Sequence, residues 1–187
     1  LNVRECEFSL NRARKGGAIY ADSGAMRAVS SSFISSEADH FGGAVWSNGG
    51  LVEIVNCEFI GNGAWGGAAV YTDQGGTTTN STFTGNFAQE AGAAVWNNGA
   101  PGELHNSIVW GNHSDHGDDL IGLTRVQASC IQGGWHDWGN IDADPLFRDA
   151  AGSDGLPGTG DEDLRLSAGS PCIDSASNPE LPEDCFD

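Results

Sequence analysis

Basic residues are scarce in this sequence of 187 residues. Eight lysines and arginines stand against 26 aspartates and glutamates, Lys15 is the only lysine, and the formal net charge is −18. A surface of this sign repels phosphate backbones and anionic lipid headgroups. Nucleic acid and anionic membranes are therefore excluded as expected partners.

Long apolar runs are also missing. No stretch approaches the roughly 18 apolar residues that a membrane-spanning helix needs, so we expect no membrane insertion by this segment. No signal peptide is recognisable. Because the sequence opens inside a repeat and stops abruptly after Phe186-Asp187, we expect it to be a piece of a longer protein.

Motifs of common enzymes and zinc modules are absent as well. The five cysteines contain no CxxC pair, which argues against a zinc ribbon. No GxSxG, HExxH or phosphate-binding glycine loop occurs. The sequence therefore names no catalytic residue.

What the sequence does contain is repetition. A motif of two small residues, alanine and a further apolar residue starts every 24 to 26 residues. Its copies are Gly16-Gly17-Ala18-Ile19, Gly42-Gly43-Ala44-Val45, Gly66-Gly67-Ala68-Ala69 and Ala91-Gly92-Ala93-Ala94. A second motif, Phe-x-x-Asn, has the same period and a different phase. Its copies are Phe59–Asn62 and Phe83–Asn86, with looser versions at Phe8–Asn11, Phe33–Ser36 and Val109–Asn112.

Short segments that alternate apolar and polar residues, punctuated by glycine and asparagine, are typical of strands rather than helical repeats. A period of about 25 residues suits one coil of a β-helix with three strands and three bends. Asn62, Asn86 and Asn112 fit a corner, where asparagine tolerates a left-handed backbone and stacks its amide. Two internal stacks are predicted, namely Phe8, Phe33, Phe59, Phe83, Val109 and Ile131, and Ile19, Val45, Val70 and Val95.

The paired FxxN and GGA[ILV] motifs resemble the repeat of chlamydial polymorphic outer-membrane proteins and of secreted bacterial β-helix proteins, over residues 1–134. Gly139–Phe147 and Leu164–Asp174 resemble the end of planctomycete-type β-helices. The resemblance implies an all-β, right-handed parallel β-helix, here of about five coils, exported to the surface or outside and often adhesive. It implies no shared reaction. Residues 135–187 are expected to form an irregular acidic C-terminal cap over the last coil's open edge.

Four of the five cysteines carry structural predictions. Cys172 and Cys185 flank a short Pro/Asn loop and could close it as a disulfide, which implies an oxidising compartment. Cys6 and Cys57 occupy equivalent positions two coils apart, about 10 Å, too far to bond. We expect both to be buried thiols.

An aromatic stripe is the first candidate site. One aromatic residue directly follows each inward aliphatic residue, and a polar residue follows two positions later, so alternation points both rows outward. The rows are Tyr20, Trp46, Tyr71 and Trp96, and Asp22, Asn48, Asp73 and Asn98. Rings beside hydrogen-bonding groups are typical of sugar-binding surfaces. Alternatively, the rings cover the sheet, pack under loops, meet a neighbouring molecule or are buried.

Two clusters are candidate metal sites. Asp154, Asp161 and Asp163 lie in a glycine-punctuated acidic loop, which offers calcium the hard oxygen ligands it prefers without EF-hand spacing. A solvated acidic loop is the alternative. His113–Asp119 contains two histidines and three aspartates, which could ligate a transition metal, although a solvated loop is favoured.

These observations favour a non-catalytic extracellular or cell-surface β-helix that acts as an adhesin or contacts a polysaccharide or cell-surface glycan. One alternative is a polysaccharide lyase or glycoside hydrolase of the β-helix class, with catalytic residues partly outside this sequence. Another is a structural spacer without ligand. Asp22 and Asp73, about 10 Å apart by coil spacing, are slightly too distant for the usual carboxylate pair.

Overall fold

The computed structural model describes residues 1–136 and 138–177. This part of the chain is all-β, with strands and no helix. Four parallel sheets, named A to D in the order in which each coil enters them, stack as a β-solenoid of about five turns, which confirms the predicted fold class.

Sheets A and B each have six strands, and sheets C and D each have five. Sheet A comprises Asn2–Arg4, Met26–Val29, Val52–Val55, Gly76–Thr79, Gly102–His105 and Leu123–Gln127. Sheet B comprises Glu7–Ser9, Ser32–Ile34, Glu58–Ile60, Thr82–Thr84, Ile108–Val109 and Cys130–Ile131. Sheet C comprises Arg12–Ala13, Glu37–Ala38, Gly63–Ala64, Phe87–Ala88 and His113–Ser114. Sheet D comprises Ile19–Ala21, Val45–Ser47, Val70–Thr72, Val95–Asn97 and Leu120–Ile121. Phe147–Asp149 and Asp163–Leu166 form a separate antiparallel pair.

Both predicted internal stacks are confirmed. Phe33, Phe59 and Phe83 occupy the same position on successive strands of sheet B, are fully buried, and stack with ring centroids 4.7 and 4.8 Å apart. Val45 and Val70 are paired in the same way on sheet D. Parallel in-register pairing therefore turns the sequence period into columns of identical or similar side chains.

The asparagine corner between sheets B and C is also confirmed, but the left-handed backbone belongs to the preceding glycines, Gly61, Gly85 and Gly111, and not to the asparagines. The amide of Asn86 donates to the backbone carbonyl of Phe59 at 2.9 Å and to Oδ1 of Asn112 at 2.8 Å. Its own Oδ1 accepts from the backbone N–H and the amide of Asn62, at 2.9 and 3.0 Å. The ladder thus satisfies backbone groups that the turn would otherwise leave buried and unpaired.

The glycines of the small-residue motif allow the walls of adjacent coils to approach closely. A Cβ at Gly43 would lie 2.4 Å from the carbonyl oxygens of both Gly63 and Ala68. A side chain at this position therefore requires the coils to move apart. A second core cluster formed only by alanines packs between sheet C and the motif, and consists of Ala38, Ala64, Ala68, Ala88 and Ala93.

A second ladder, which the sequence analysis missed, occupies the corner between sheets A and B. Its hydroxyl and thiol groups donate to the carbonyl two residues earlier and, except for Cys6 in the first coil, accept a backbone N–H from the preceding coil, as Ser81 does for Thr79 and Cys57. The members are Cys6, Ser31, Cys57, Ser81, Ser107 and Ser129. Each follows a residue with positive φ, namely Glu5, Ser30, Asn56, Asn80, Asn106 and Ala128. The recurring polar pair before each Phe motif was the available signal.

The ladder corrects one prediction about the thiols. Cys57 is buried, as expected, but Cys6 is exposed because its coil has a stacked neighbour on one side only. Burial raises the pKa of the Cys57 thiol to about 11.

We therefore expect iodoacetamide at pH 8 to alkylate Cys6 at least tenfold faster than Cys57 in the folded protein, since the thiolate is the reactive form and a raised pKa makes it rarer. Peptide mass spectrometry over a time course measures both rates. Labelling in denaturant, where the two rates should converge, is the control. Equal rates in the folded protein would contradict the burial of Cys57.

The C-terminal segment runs along the side of the solenoid. The Ser35 hydroxyl donates to the carbonyl of Gly158 at 2.5 Å, and Asn106 exchanges two hydrogen bonds with the backbone of Ser177. Ile60 points outward from sheet B and is nevertheless 4% exposed. The segment thus covers the outer face of sheet B.

A shorter part of the chain covers the last coil. Ile141 pairs with Cys130 and extends sheet B by one bridge, and Trp135 packs against the core. Trp135 and Ile141 therefore lie at the last coil, whereas Gly158 and Ser177 of the acidic segment contact the side of the solenoid. A cap formed by residues 135–187 stays a prediction.

Candidate functional site

The four predicted aromatic residues form a column on the outer face of sheet D. Tyr20, Trp46, Tyr71 and Trp96 are directly paired on successive strands. Their accessibility differs from the predicted exposed stripe. Tyr20 is 49% exposed and Trp96 is partly buried, but Trp46 and Tyr71 are each only 6% exposed.

Side chains from the connection between sheets C and D bury the two middle rings. The Lys15 ammonium lies 3.7 Å above the centre of the Trp46 ring. The Phe41 ring lies 4.4 Å from that of Tyr71. Both covering residues belong to the coil before the ring that they cover. Alternation therefore predicted the direction of all four rings correctly, whereas Trp46 and Tyr71 follow the alternative in which rings are covered.

The same connection adds an aromatic residue that sequence reasoning missed. Trp65 precedes the third glycine motif, is 40% exposed, and lies 6.3 Å from Trp96 between ring centroids. A bulky or basic residue before the first three copies of the motif, Lys15, Phe41 and Trp65, was the available signal, and it does not give the direction of the side chain. The accessible rings, Tyr20, Trp65 and Trp96, are called the aromatic face below.

The predicted polar row lies beside these rings as two hydrogen-bonded pairs. The Asn48 amide donates to Asp22 at 3.1 Å, and the Asn98 amide donates to Asp73 at 3.0 Å. The Tyr20 hydroxyl also donates to Asp22, at 2.8 Å. The pairs fix carboxylates and amides next to an exposed ring, which suits contact with hydroxyl groups.

Hydrogen bonding sets the charge of this surface. The amide of Asn48 and the hydroxyl of Tyr20 lower the pKa of Asp22, which is therefore ionised at neutral pH. Burial, and then the charge of Asp73, raises the pKa of Tyr71 to about 12, which keeps its hydroxyl neutral. The surface presents carboxylate acceptors, amides and uncharged rings.

Positive charge is concentrated at the first coil. Residues 1–27 contain five basic and three acidic residues, a net charge of +2 in a chain of −18. Arg14 and Lys15 line a shallow cavity of about 420 Å³ together with Tyr20 and Trp46. An anionic group would meet its most favourable surroundings at this end of the aromatic face.

The three aspartates of the acidic loop all accept hydrogen bonds within the segment. Asp163 forms two hydrogen bonds with Arg165, at 2.7 and 2.6 Å, which lower its pKa to about 2. Asp161 accepts from Ser153 and Thr159, and Asp154 accepts from the N–H of Leu156. Within residues 1–136 and 138–177, no three His, Cys, Asp or Glu residues are grouped to hold a metal, those of His113–Asp119 included. Calcium binding therefore stays a prediction.

The predicted disulfide involves a residue that the structure does not place. Cys185 lies outside the described residues. The partner proposed for it, Cys172, lies near Cys130, on the last strand of sheet B, and contributes to the raised pKa of that thiol after burial.

Comparison with known families gives one match. Residues 5–22 match the model of the Chlamydia polymorphic membrane protein repeat. The matched segment contains the first copy of both sequence motifs and runs through three strands of the first coil. No match was found among curated proteins or solved structures.

Among residues 1–136 and 138–177, no helix has the length and hydrophobicity needed to cross a bilayer.

Proposed function

We propose that this chain is a non-catalytic surface β-solenoid that contacts carbohydrate through the aromatic face. The observation that carries the proposal is the pairing of exposed rings with fixed polar groups, most directly Tyr20 with Asp22 and Asn48. The repeat match over residues 5–22, to a family described as membrane proteins, supports a bacterial surface location.

The solenoid provides spacing that suits an extended ligand. Neighbouring coils repeat at roughly 4.8 Å, so rings and polar pairs on successive coils form a row along one face. Flat rings bury the apolar faces of sugars, while carboxylates and amides bind their hydroxyl groups. The Asp22–Asn48 and Asp73–Asn98 pairs are two coils apart, which offers two polar contacts along one chain.

Charge favours an acidic sugar at one end of this row. Arg14 and Lys15 flank Tyr20 in a chain that is otherwise strongly negative. We expect uronate- or sulfate-bearing oligosaccharides to bind more tightly than neutral ones of the same length, with an affinity that falls as salt is added.

We expect Tyr20→Ala and Trp65→Ala each to weaken binding about tenfold, because each removes an exposed ring that would stack on a sugar. A glycan array of acidic and neutral oligosaccharides identifies the probe, and calorimetry measures Kd. Phe87→Ala is the matched control, since Phe87 is 41% exposed but lies on sheet C, and it should leave Kd unchanged.

The outcomes separate the three functions. Binding that all three variants retain would place the ligand elsewhere on the solenoid. Release of reducing ends or unsaturated uronates from polysaccharides would favour the lyase or hydrolase alternative. No binding and no release by the unmodified chain would favour a structural spacer.

A further inference from the structure

The thiol of Cys130 faces the C-terminal segment. Cys130 is on the last strand of sheet B, in the column that contains Glu58, Thr82 and Ile108, and so points out of the solenoid. It is nevertheless 2% exposed, and its thiol donates to the carbonyl of Ala143 at 3.1 Å. The chain that covers sheet B therefore encloses this thiol.

A second set of hydrogen bonds holds Cys172 at the same place. The Ser170 hydroxyl donates to the carbonyl of Pro145 at 2.6 Å and accepts from the N–H of Cys172 at 3.2 Å. Pro145 is two residues beyond Ala143, the residue that contacts Cys130. Two separate contacts therefore place Cys172 beside the thiol of Cys130, whose pKa is raised first by burial and then by Cys172.

We propose that Cys130 and Cys172 form a disulfide that fastens the C-terminal segment to the outer face of sheet B. Hydrogen bonds hold both residues in position, that of the Cys130 thiol with Ala143 and that of the Cys172 N–H with Ser170. This pairing takes Cys172 away from Cys185, the partner favoured by sequence proximity. The proposed disulfide does not depend on the proposed carbohydrate binding.

The oxidant is a low-molecular-weight disulfide such as glutathione disulfide. The Cys172 thiolate attacks one sulfur of glutathione disulfide, giving a mixed disulfide and one glutathione. Cys130 then attacks the Cys172 sulfur, loses its proton and releases the second glutathione. Two S–H bonds are lost, one S–S bond forms, and the oxidant takes up two electrons. Because burial raises the pKa of Cys130 to about 12, the second step is expected to be the slow one.

The test uses the full 187-residue chain, equilibrated with glutathione disulfide, blocked with iodoacetamide and digested without reduction. Mass spectrometry should find a peptide pair joined through Cys130 and Cys172. The pair should persist in Cys185→Ser and disappear in Cys172→Ser. A linked Cys172–Cys185 pair, or Cys130 alkylated throughout, would overturn the proposal.

A stability readout tests the fastening itself. The bond closes a loop of about 42 residues, so reduction should lower Tm by roughly 10 °C in the unmodified chain and in Cys185→Ser. Reduction should leave Tm unchanged in Cys130→Ser. A Tm that reduction does not alter in Cys185→Ser would refute a stabilising cross-link between Cys130 and Cys172.

Discussion

Replacement of Phe59 by alanine is expected to lower the free energy of unfolding by about 3–5 kcal/mol. The Phe59 ring is fully buried and lies parallel to the rings of Phe33 and Phe83, at 4.7 and 4.8 Å. Alanine leaves a cavity in the middle of the column and removes two stacking contacts at once. Backbone hydrogen bonds to the coils above and below limit how far the walls can collapse into the cavity.

Urea unfolding followed by tryptophan fluorescence measures this loss. Native-state hydrogen exchange shows whether the loss is confined to neighbouring coils, because coils of a solenoid contact mainly their neighbours. Phe59→Leu should lower the free energy of unfolding by less than about 2 kcal/mol, since leucine keeps most of the side-chain volume. Phe87→Ala should cost under about 1 kcal/mol because Phe87 is 41% exposed. If Phe59→Ala lowered the free energy of unfolding no more than Phe87→Ala, the stacked phenylalanine column would not be a main source of stability.

Replacement of Asn86 by alanine is expected to lower the free energy of unfolding by about 2–5 kcal/mol. This loss is similar to that expected for Phe59→Ala, although Asn86 is polar. The amide of Asn86 donates to the carbonyl of Phe59, and its Oδ1 accepts from the N–H of Asn62. Alanine leaves the N–H of Asn62 buried without its partner, at about 1–3 kcal/mol, and also removes the amide bonds to Phe59 and Asn112. The next coil keeps one contact, because the N–H of Asn86 still donates to Asn112 at 3.2 Å.

Asn98→Ala is the matched control for this substitution. Asn98 is exposed, and its amide donates to the carboxylate of Asp73 rather than to a buried backbone group. We expect a change of less than about 0.5 kcal/mol in the same urea experiment. If the two alanine variants unfold at the same urea concentration, the asparagine ladder does not stabilise the corner.

The regular features of the solenoid could be predicted because they repeat along the sequence. Phe59 and Phe83 are 24 residues apart in nearly identical motifs, and Asn62 and Asn86 follow them at the same offset. When each coil has the same length, in-register pairing places equal positions on top of one another. The period therefore determined the two core columns and the asparagine corner.

Accessibility of the candidate site depended on residues outside the strands. Alternation in sheet D sets the side of the sheet on which Trp46 and Tyr71 lie, but Lys15 and Phe41 decide that both are covered. These residues belong to short connections whose conformation depends on packing against the next coil. The exposed site consequently contains Trp65, which carries no strand periodicity.

The sequence alone therefore determined the parallel coil, its core columns and the side of sheet D that carries the rings, because a repeated local pattern repeats its pairing. Only the tertiary structure decided which rings stay accessible, where the acidic segment lies and which thiol is next to Cys172. These depend on single, non-repeated contacts between distant residues, such as Ser35 with Gly158 and Cys130 with Ala143. Because each of these contacts occurs only once in the molecule, the repeat pattern of the sequence cannot predict them.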